Sequence, residues 1–169
     1  MADTVIQVHS SRIVITGINF MTYANRYCEA ASLAKTKSKA LKGFDPVPYQ
    51  LYCQSLELHL KSFIWLQDQQ LGRNTIRNRY GHNLKKLWEH SKDKGIKKYI
   101  KLTPLREKVI ELVSPYYKDR KFCYLDIDMI YDGYTNLKTE PKSLETLHRL
   151  SIQLGKSLKR PIYGASQPQ

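Results

Sequence analysis

The sequence predicts an all-α fold, a bundle of about five helices with one extended segment before the last helix. Apolar residues recur at spacings of three and four along most of the chain, which is the period of an amphipathic helix. Pro and Gly residues stand where these periodic stretches begin and end. A length of 169 residues is sufficient for one domain with its own core, which we place at residues 1–160.

The first helix is predicted over residues 18–41. Lysines crowd its end, where positive charge suits the helix dipole. Gly43 then follows as a stop signal. The apolar stripe of this helix consists of Phe20, Ala24, Tyr27, Ala31 and Ala34.

A second helix is predicted to begin near Pro48, because proline suits the first turn of a helix, and to end by Gly72. Residues 73–81 are polar and basic, so we expect a loop there. The stripe of the second helix consists of Leu56, Leu60, Phe63 and Ile64.

The third and fourth helices are shorter. Residues 83–94 form the third, with Gly95 closing it, and Thr103 and Pro104 supply a cap and a first turn for the fourth. Pro115 marks the end of the fourth helix or a kink in it. The side chains expected to face inward from the third helix are Leu84, Leu87 and Trp88.

Apolar and polar residues alternate over residues 125–131, which predicts the extended segment. A last helix is predicted over residues 141–158. Residues 161–169 are rich in Pro, Gly, Ser and Gln, which is typical of a disordered tail.

Composition excludes several classes of protein. No apolar run approaches the roughly 18 residues of a membrane span, and we expect a cytoplasmic protein. Cys28, Cys53 and Cys123 are far apart and form no Cys-x-x-Cys motif, which argues against disulfides and zinc. Asp126, Asp128 and Asp132 do not match a calcium loop, so the sequence predicts no metal site and no cofactor.

The net charge of +13 favours an anionic partner. Residues 73–108 carry twelve Lys or Arg and only three acids. This concentration of positive charge favours RNA, DNA, a nucleotide or a membrane surface as the partner, although a solvated basic face has the same composition. The candidate phosphate-binding residues are Arg73, Arg77, Arg79, Lys85, Lys86, Lys97, Lys98 and Lys101.

Arg77 and His82 are the candidate catalytic pair. In RNA cleavage without a metal, the histidine would move a proton at the ribose 2′-hydroxyl or the leaving oxygen, and the arginine would hold the phosphate. A structural alternative is that His82 bonds free backbone groups where a helix begins.

The order of elements resembles the HEPN domains, small helical bundles named for higher eukaryotes and prokaryotes nucleotide-binding. Three segments carry the resemblance: S-L-E-L-H-L-K-S-F at residues 55–63, Y-G-H-N-L-K-K-L at 80–87, and S-P-Y-Y-K-D-R at 114–120. It covers residues 18–158, and it implies a helical bundle that often forms homodimers.

The resemblance also implies a non-catalytic member. The ribonuclease motif of the family, Arg-polar-x-x-x-His, lies on a helix that corresponds to residues 105–120 here. That region contains Arg106 and Arg120, but no histidine follows before His148. His82 instead matches an earlier structural segment of the family, with Asn83 in place of the usual Asp.

The sequence therefore predicts a non-catalytic HEPN-like module that binds nucleic acid, expected to be RNA. A metal-independent ribonuclease is the enzymatic alternative. A third interpretation is a protein-interaction adaptor whose basic face meets an acidic partner.

Overall fold

The computed structural model describes residues 16–38, 44–68, 73–124, 134–138, 140 and 142–165. These residues contain helices and no strand, and the all-α prediction is confirmed. The helices are α1 (Gly17–Ser38), α2 (Pro46–Gln67), α3 (Arg73–Tyr80), α4 (Leu84–Asp93), α5 (Pro104–Lys118), α6 (Thr135–Lys138) and α7 (Ser143–Ala165), with a short 3-10 turn at Ile96–Lys98.

Helix α2 lies at the centre of the bundle. It packs along α1 and α7 and also contacts α4 and α5. Because neighbours surround it, even its polar side chains Glu57, His59 and Lys61 are buried. Buried polar groups require partners, so α2 is where a functional cluster can be built into the core.

Small residues let α1 approach α2 closely. Ala24 and Ala31 of α1 are fully buried. The Ser55 hydroxyl of α2 donates to the Ala24 carbonyl at 2.8 Å, and the Ser62 hydroxyl donates to the Gly17 carbonyl at 2.8 Å. These bonds fix the position of α1 along the central helix.

Side-chain caps mark the starts of three helices, and two of these starts lie where the sequence predicted them. Thr103 caps α5 by accepting from the Arg106 N–H at 3.3 Å, and Asn83 caps α4 by accepting from the Lys86 N–H at 2.9 Å. The second helix begins at Pro46, two residues earlier than predicted, because Asp45 serves as its cap.

The prediction of a loop over residues 73–81 is wrong, because residues 73–80 form helix α3. Ile76 and Tyr80 stand one turn apart and are both buried, so two apolar contacts anchor a segment that is otherwise polar. The described residues therefore contain six helices of at least eight residues, where the sequence predicted about five.

Two helices continue past an internal proline. Helix α5 runs through Pro115 to Lys118, and Tyr117 packs in the core beyond the proline. Helix α7 continues to Ala165, where the buried Ile162 holds it, so the predicted helix end at residue 158 is too early and residues 161–165 are helical rather than part of a disordered tail. Residues 166–169, the predicted extended segment and its aspartates lie outside the described residues.

None of the described helices combines the length and the apolar character that crossing a bilayer requires. Nor do the described residues bring together three or more His, Cys, Asp or Glu side chains that could hold a metal ion.

Candidate nucleic-acid interface

Residues 81–83 connect α3 to α4 and carry His82, one of the two candidate catalytic residues. We call this connection the α3–α4 corner. Gly81 has φ of +53°, a left-handed conformation that glycine adopts without a steric penalty. Helix α3 therefore ends at Tyr80, and α4 begins after its cap at Asn83.

A buried carboxylate of α2 holds this corner in place. Glu57 is only 2% exposed. One of its oxygens, Oε2, accepts from His82 Nδ1 at 2.9 Å, while Oε1 accepts from Lys61 Nζ at 2.6 Å. Lys61 Nζ also donates to the Gly81 carbonyl at 3.0 Å. Glu57 and Lys61, one turn apart on α2, thus hold the corner by bonds to the His82 side chain and to the Gly81 backbone.

Tyr117 of α5 completes the cluster. Its hydroxyl lies 2.7 Å from Glu57 Oε2 and also 2.7 Å from Gln54 Oε1. A phenol has one proton, and the carboxylate is the stronger acceptor. The proton therefore points to Glu57, and Gln54 Oε1 is a second, weaker acceptor beside the same phenol.

The charge of this cluster follows from its pKa values. Burial alone would raise the pKa of Glu57, but hydrogen bonds from His82, Lys61 and Tyr117, with the Lys61 charge, outweigh burial and lower it. Burial and the Glu57 charge raise the pKa of Tyr117 far above its usual value. At neutral pH, Glu57 is therefore an anion and Tyr117 keeps its proton.

Glu57 also sets the tautomer of His82. Because a carboxylate can only accept, Nδ1 of the imidazole must carry a proton. Nε2 is then a base in the neutral ring and a second donor in the protonated ring. The His82 side chain is 42% exposed, so the imidazole is anchored at one nitrogen and open to solvent. Its ring also meets Tyr117 edge-on, with the ring centroids 5.8 Å apart.

Arg120 joins His82 from the end of α5. The Arg120 N–H donates to the Tyr117 carbonyl at 3.1 Å, and the Lys121 N–H donates to the Tyr116 carbonyl at 2.8 Å. This pattern is a Schellman motif, which usually places glycine where Arg120 stands with φ of +58°. A non-glycine residue there costs roughly 1 kcal/mol, and such strain is often found at functional positions.

Two cavities lie beside the corner, and His82 and Arg120 line both of them. The narrow cavity has a volume of about 180 Å³ and the wide cavity a volume of about 430 Å³. The narrow cavity is completed by Gln50, Gln54, Tyr117, Cys123 and Tyr124. Phe20, Leu58, Lys61, Ile76, Asn78 and Gly81 complete the wide one.

Part of the predicted phosphate-binding set lies at the same corner. Lys86 Nζ donates to the Arg79 carbonyl at 2.9 Å. Both cations lie over the Tyr80 ring, with Arg79 Cζ 5.7 Å and Lys86 Nζ 5.9 Å from its centroid. Lys85 is also exposed but forms an ion pair with Glu111 of α5 at 2.9 Å. Arg79 and Lys86 therefore meet across the corner, on the two helices that it joins.

The other predicted cations are placed differently. Lys97, Lys98 and Lys101 are exposed beyond the opposite end of α4, a helix of ten residues and therefore about 15 Å long. Arg73 and Arg77 belong to α3, but their side chains lie outside the described part of the chain. The structure thus brings His82 together with Arg120, and it neither supports nor excludes the pairing with Arg77.

Sequence reasoning missed Glu57, Lys61 and Tyr117 as site residues and did not assign Arg120 to the site. One signal was available, because Glu57 and Lys61 are charged residues one turn apart within an apolar helix. Such a pair is buried only when a partner compensates it.

No protein-family model, curated protein or solved structure matches this chain. The HEPN-like assignment therefore stays a prediction that depends on the three sequence segments.

Proposed function

We propose that the chain is a HEPN-like helical module that binds nucleic acid, RNA in our expectation, by holding phosphate groups at the α3–α4 corner. One observation carries this proposal: His82 and Arg120 line the same two cavities, and Glu57 fixes the orientation of His82. A guanidinium and an imidazole that line the same cavity can together bind the oxygens of one phosphate group.

The charge around the cavities agrees with an anionic ligand. Of the described residues that line them, none is an Asp or a Glu. Glu57 lies behind the wall, where Lys61 and His82 compensate its charge. A phosphate in either cavity would therefore meet cationic side chains and no carboxylate among the described lining residues.

A longer strand would also reach the second group of cations. Lys97, Lys98 and Lys101 would then bind phosphates beyond the far end of α4. Binding of this kind depends on counterion release, so its affinity falls steeply as salt increases.

Fluorescence anisotropy with a labelled single-stranded RNA tests the proposal. We expect Arg120→Gln to weaken binding severalfold and to reduce the slope of log affinity against log salt by about 0.7, the value of one lost phosphate contact. Lys37→Gln makes the same charge change on the exposed face of α1 and should leave both quantities unaltered. Undetectable binding by the wild type, or equal effects of the two variants, contradicts the proposal.

A metal-independent ribonuclease is the second candidate, and the contact between Glu57 and His82 favours it. A carboxylate on Nδ1 leaves Nε2 of the neutral imidazole free to act as a base. Nε2 would take the proton of the ribose 2′-hydroxyl as that oxygen attacks phosphorus, and the departing 5′-oxygen would take a proton from water. Arg120 would hold the developing charge on the phosphate.

RNA integrity on a denaturing gel, with EDTA present, tests this second candidate. We expect cleavage by the wild type and by His148→Gln, a change on α7, and no cleavage by His82→Ala. Intact RNA with the wild type rejects the ribonuclease and leaves the binding function standing.

Three further properties remain proposals. Homodimer formation follows from the HEPN resemblance and can be checked by sedimentation. A cytoplasmic location follows from the sequence and can be checked by fractionation. An acidic protein partner becomes the better explanation if such a protein is captured in the absence of nucleic acid and RNA does not bind.

A further inference from the structure

The two cavities share one wall. His82 and Arg120 belong to both linings, so these two side chains stand between the narrow cavity and the wide one. A phosphate held by this pair would have one cavity on each side of it. In a nucleic acid strand, the groups on either side of a phosphate are two successive nucleosides.

The wide cavity has the character of a base-binding pocket. Its apolar wall consists of Phe20, Leu58 and Ile76, and the exposed Asn78 stands among them as a hydrogen-bonding amide. Its volume of about 430 Å³ lies within the range of roughly 300–1,000 Å³ that is usual for ligand pockets. A flat ring with a polar edge suits this combination of surfaces.

The narrow cavity offers a stacking surface and an unused acceptor. Tyr124 lines the narrow cavity, and its side chain is 64% exposed. The Gln50 carboxamide oxygen is shielded from solvent and has no hydrogen-bond partner among the described residues. Shielded polar atoms are normally paired, so rotation of this carboxamide toward the cavity would let the oxygen accept from a ligand donor. The exocyclic amino group of a base is such a donor.

We propose that the chain binds single-stranded nucleic acid, with one phosphate on His82 and Arg120 and the two flanking bases separated into the two cavities. This inference rests on the proposed function and adds the strand type and a footprint of two nucleotides. A duplex cannot bind in this way, because its bases are stacked and paired and cannot enter separate cavities. Tyr124 would stack on the base in the narrow cavity, and the Gln50 oxygen would accept from its edge.

Three oligomers of equal phosphate count test the proposal: a single-stranded RNA, an RNA duplex of half its length, and an abasic ribose-phosphate strand. We expect the single strand to bind at least tenfold more tightly than either of the others. If all three bind equally, this inference fails and the phosphate-binding function stands. If none binds, the proposed function itself fails.

A tyrosine pair supplies the matched variants. Tyr124→Ala should weaken binding of the single strand by about tenfold, the effect of losing one stacked base, without changing the salt slope or the affinity for the abasic strand. Tyr124→Phe should restore binding. Tyr23, 63% exposed on α1, is the control, and Tyr23→Ala should have no effect. Equal losses from both alanine variants, or an altered salt slope in Tyr124→Ala, overturn the assignment of Tyr124.

Discussion

Glu57 carries a full negative charge although it is only 2% exposed. Its burial is stable only because Lys61, His82 and Tyr117 donate hydrogen bonds to the carboxylate. Lys61 is also buried, and the two side chains form an ion pair at 2.6 Å within one turn of α2. Removing one member of a buried pair leaves the other charge uncompensated, which is much more costly than losing an exposed pair.

We therefore expect Glu57→Gln to lower the free energy of unfolding by about 3–5 kcal/mol, because Lys61 would keep a buried charge. Urea denaturation at neutral pH measures this change. Glu111→Gln removes the carboxylate of the exposed pair with Lys85 and should cost less than about 1 kcal/mol. Similar losses in the two variants would show that Glu57 is not the anchor of the corner.

His59 gives a pH-dependent prediction. Burial lowers its pKa from 6.5 to about 4, because the charged ring is disfavoured in the core beside α1. Between these two values the unfolded chain takes up a proton that the folded chain does not, so stability falls as pH falls from 6.5 to 4. The loss contributed by His59 should reach about 3 kcal/mol and increase no further below pH 4.

Urea denaturation of the wild type and of His59→Gln at several pH values measures this contribution. Burial also lowers the pKa of His90 and His148, but both proteins contain these groups, so their effect cancels in the difference. The wild type should lose its stability advantage over the variant as the solution is acidified. If the difference in free energy of unfolding between the two proteins stays constant between pH 7 and 4, the lowered pKa of His59 is contradicted.

Among the helices, the sequence predicted those with a continuous apolar stripe and a clear cap. It placed the start of α4 and α5 correctly because Asn83 and Thr103 act locally. It missed α3, whose eight residues hold only two apolar anchors, Ile76 and Tyr80. It also ended α7 too early, because Pro161 is a local stop signal that the packing of the neighbouring Ile162 overrides.

The approach of α7 to α1 gives a prediction from two glycines on one helix. A Cβ at Gly155 would lie 2.7 Å from Asn25 Oδ1 and 3.2 Å from His59 Nε2, whereas nothing lies within 4 Å of one at Gly164. Alanine favours a helix by up to about 1 kcal/mol over glycine, but overpacking costs about 1–3 kcal/mol. In thermal unfolding, the melting temperature of Gly155→Ala should lie below that of the wild type, and the melting temperature of Gly164→Ala should equal or exceed it. Equal stabilisation by both changes would show that the interface is looser than described.

For the molecule as a whole, composition favours an anionic partner, which stays a prediction, whereas the contacts of the candidate site could not be read from the sequence. The contact between Glu57 and His82 joins residues 25 positions apart, and the one between Glu57 and Tyr117 spans 60. No local pattern encodes such contacts, since they depend on how α2, α4 and α5 pack. Arg120 was missed for a different reason, because nothing in its neighbours predicts a left-handed arginine.

The predicted basic set also divides once the helices are placed. Arg79, Lys85 and Lys86 lie at the α3–α4 corner, while Lys97, Lys98 and Lys101 lie beyond the opposite end of α4, a helix about 15 Å long. A basic surface with two groups can bind one strand at both ends of α4. The corner is the proposed specific part of this surface, because Arg120 and Lys61 line cavities beside it.

NMR of histidine rings labelled with ¹⁵N, during a titration with single-stranded RNA, tests the central claim most directly. Signals from the His82 ring should shift progressively and saturate with the same dissociation constant that anisotropy gives, because Nε2 faces the bound phosphate. Signals from His59, buried in the core, should stay in place. If RNA binds and the His82 signals do not move, phosphate is held elsewhere and the α3–α4 corner is not the site.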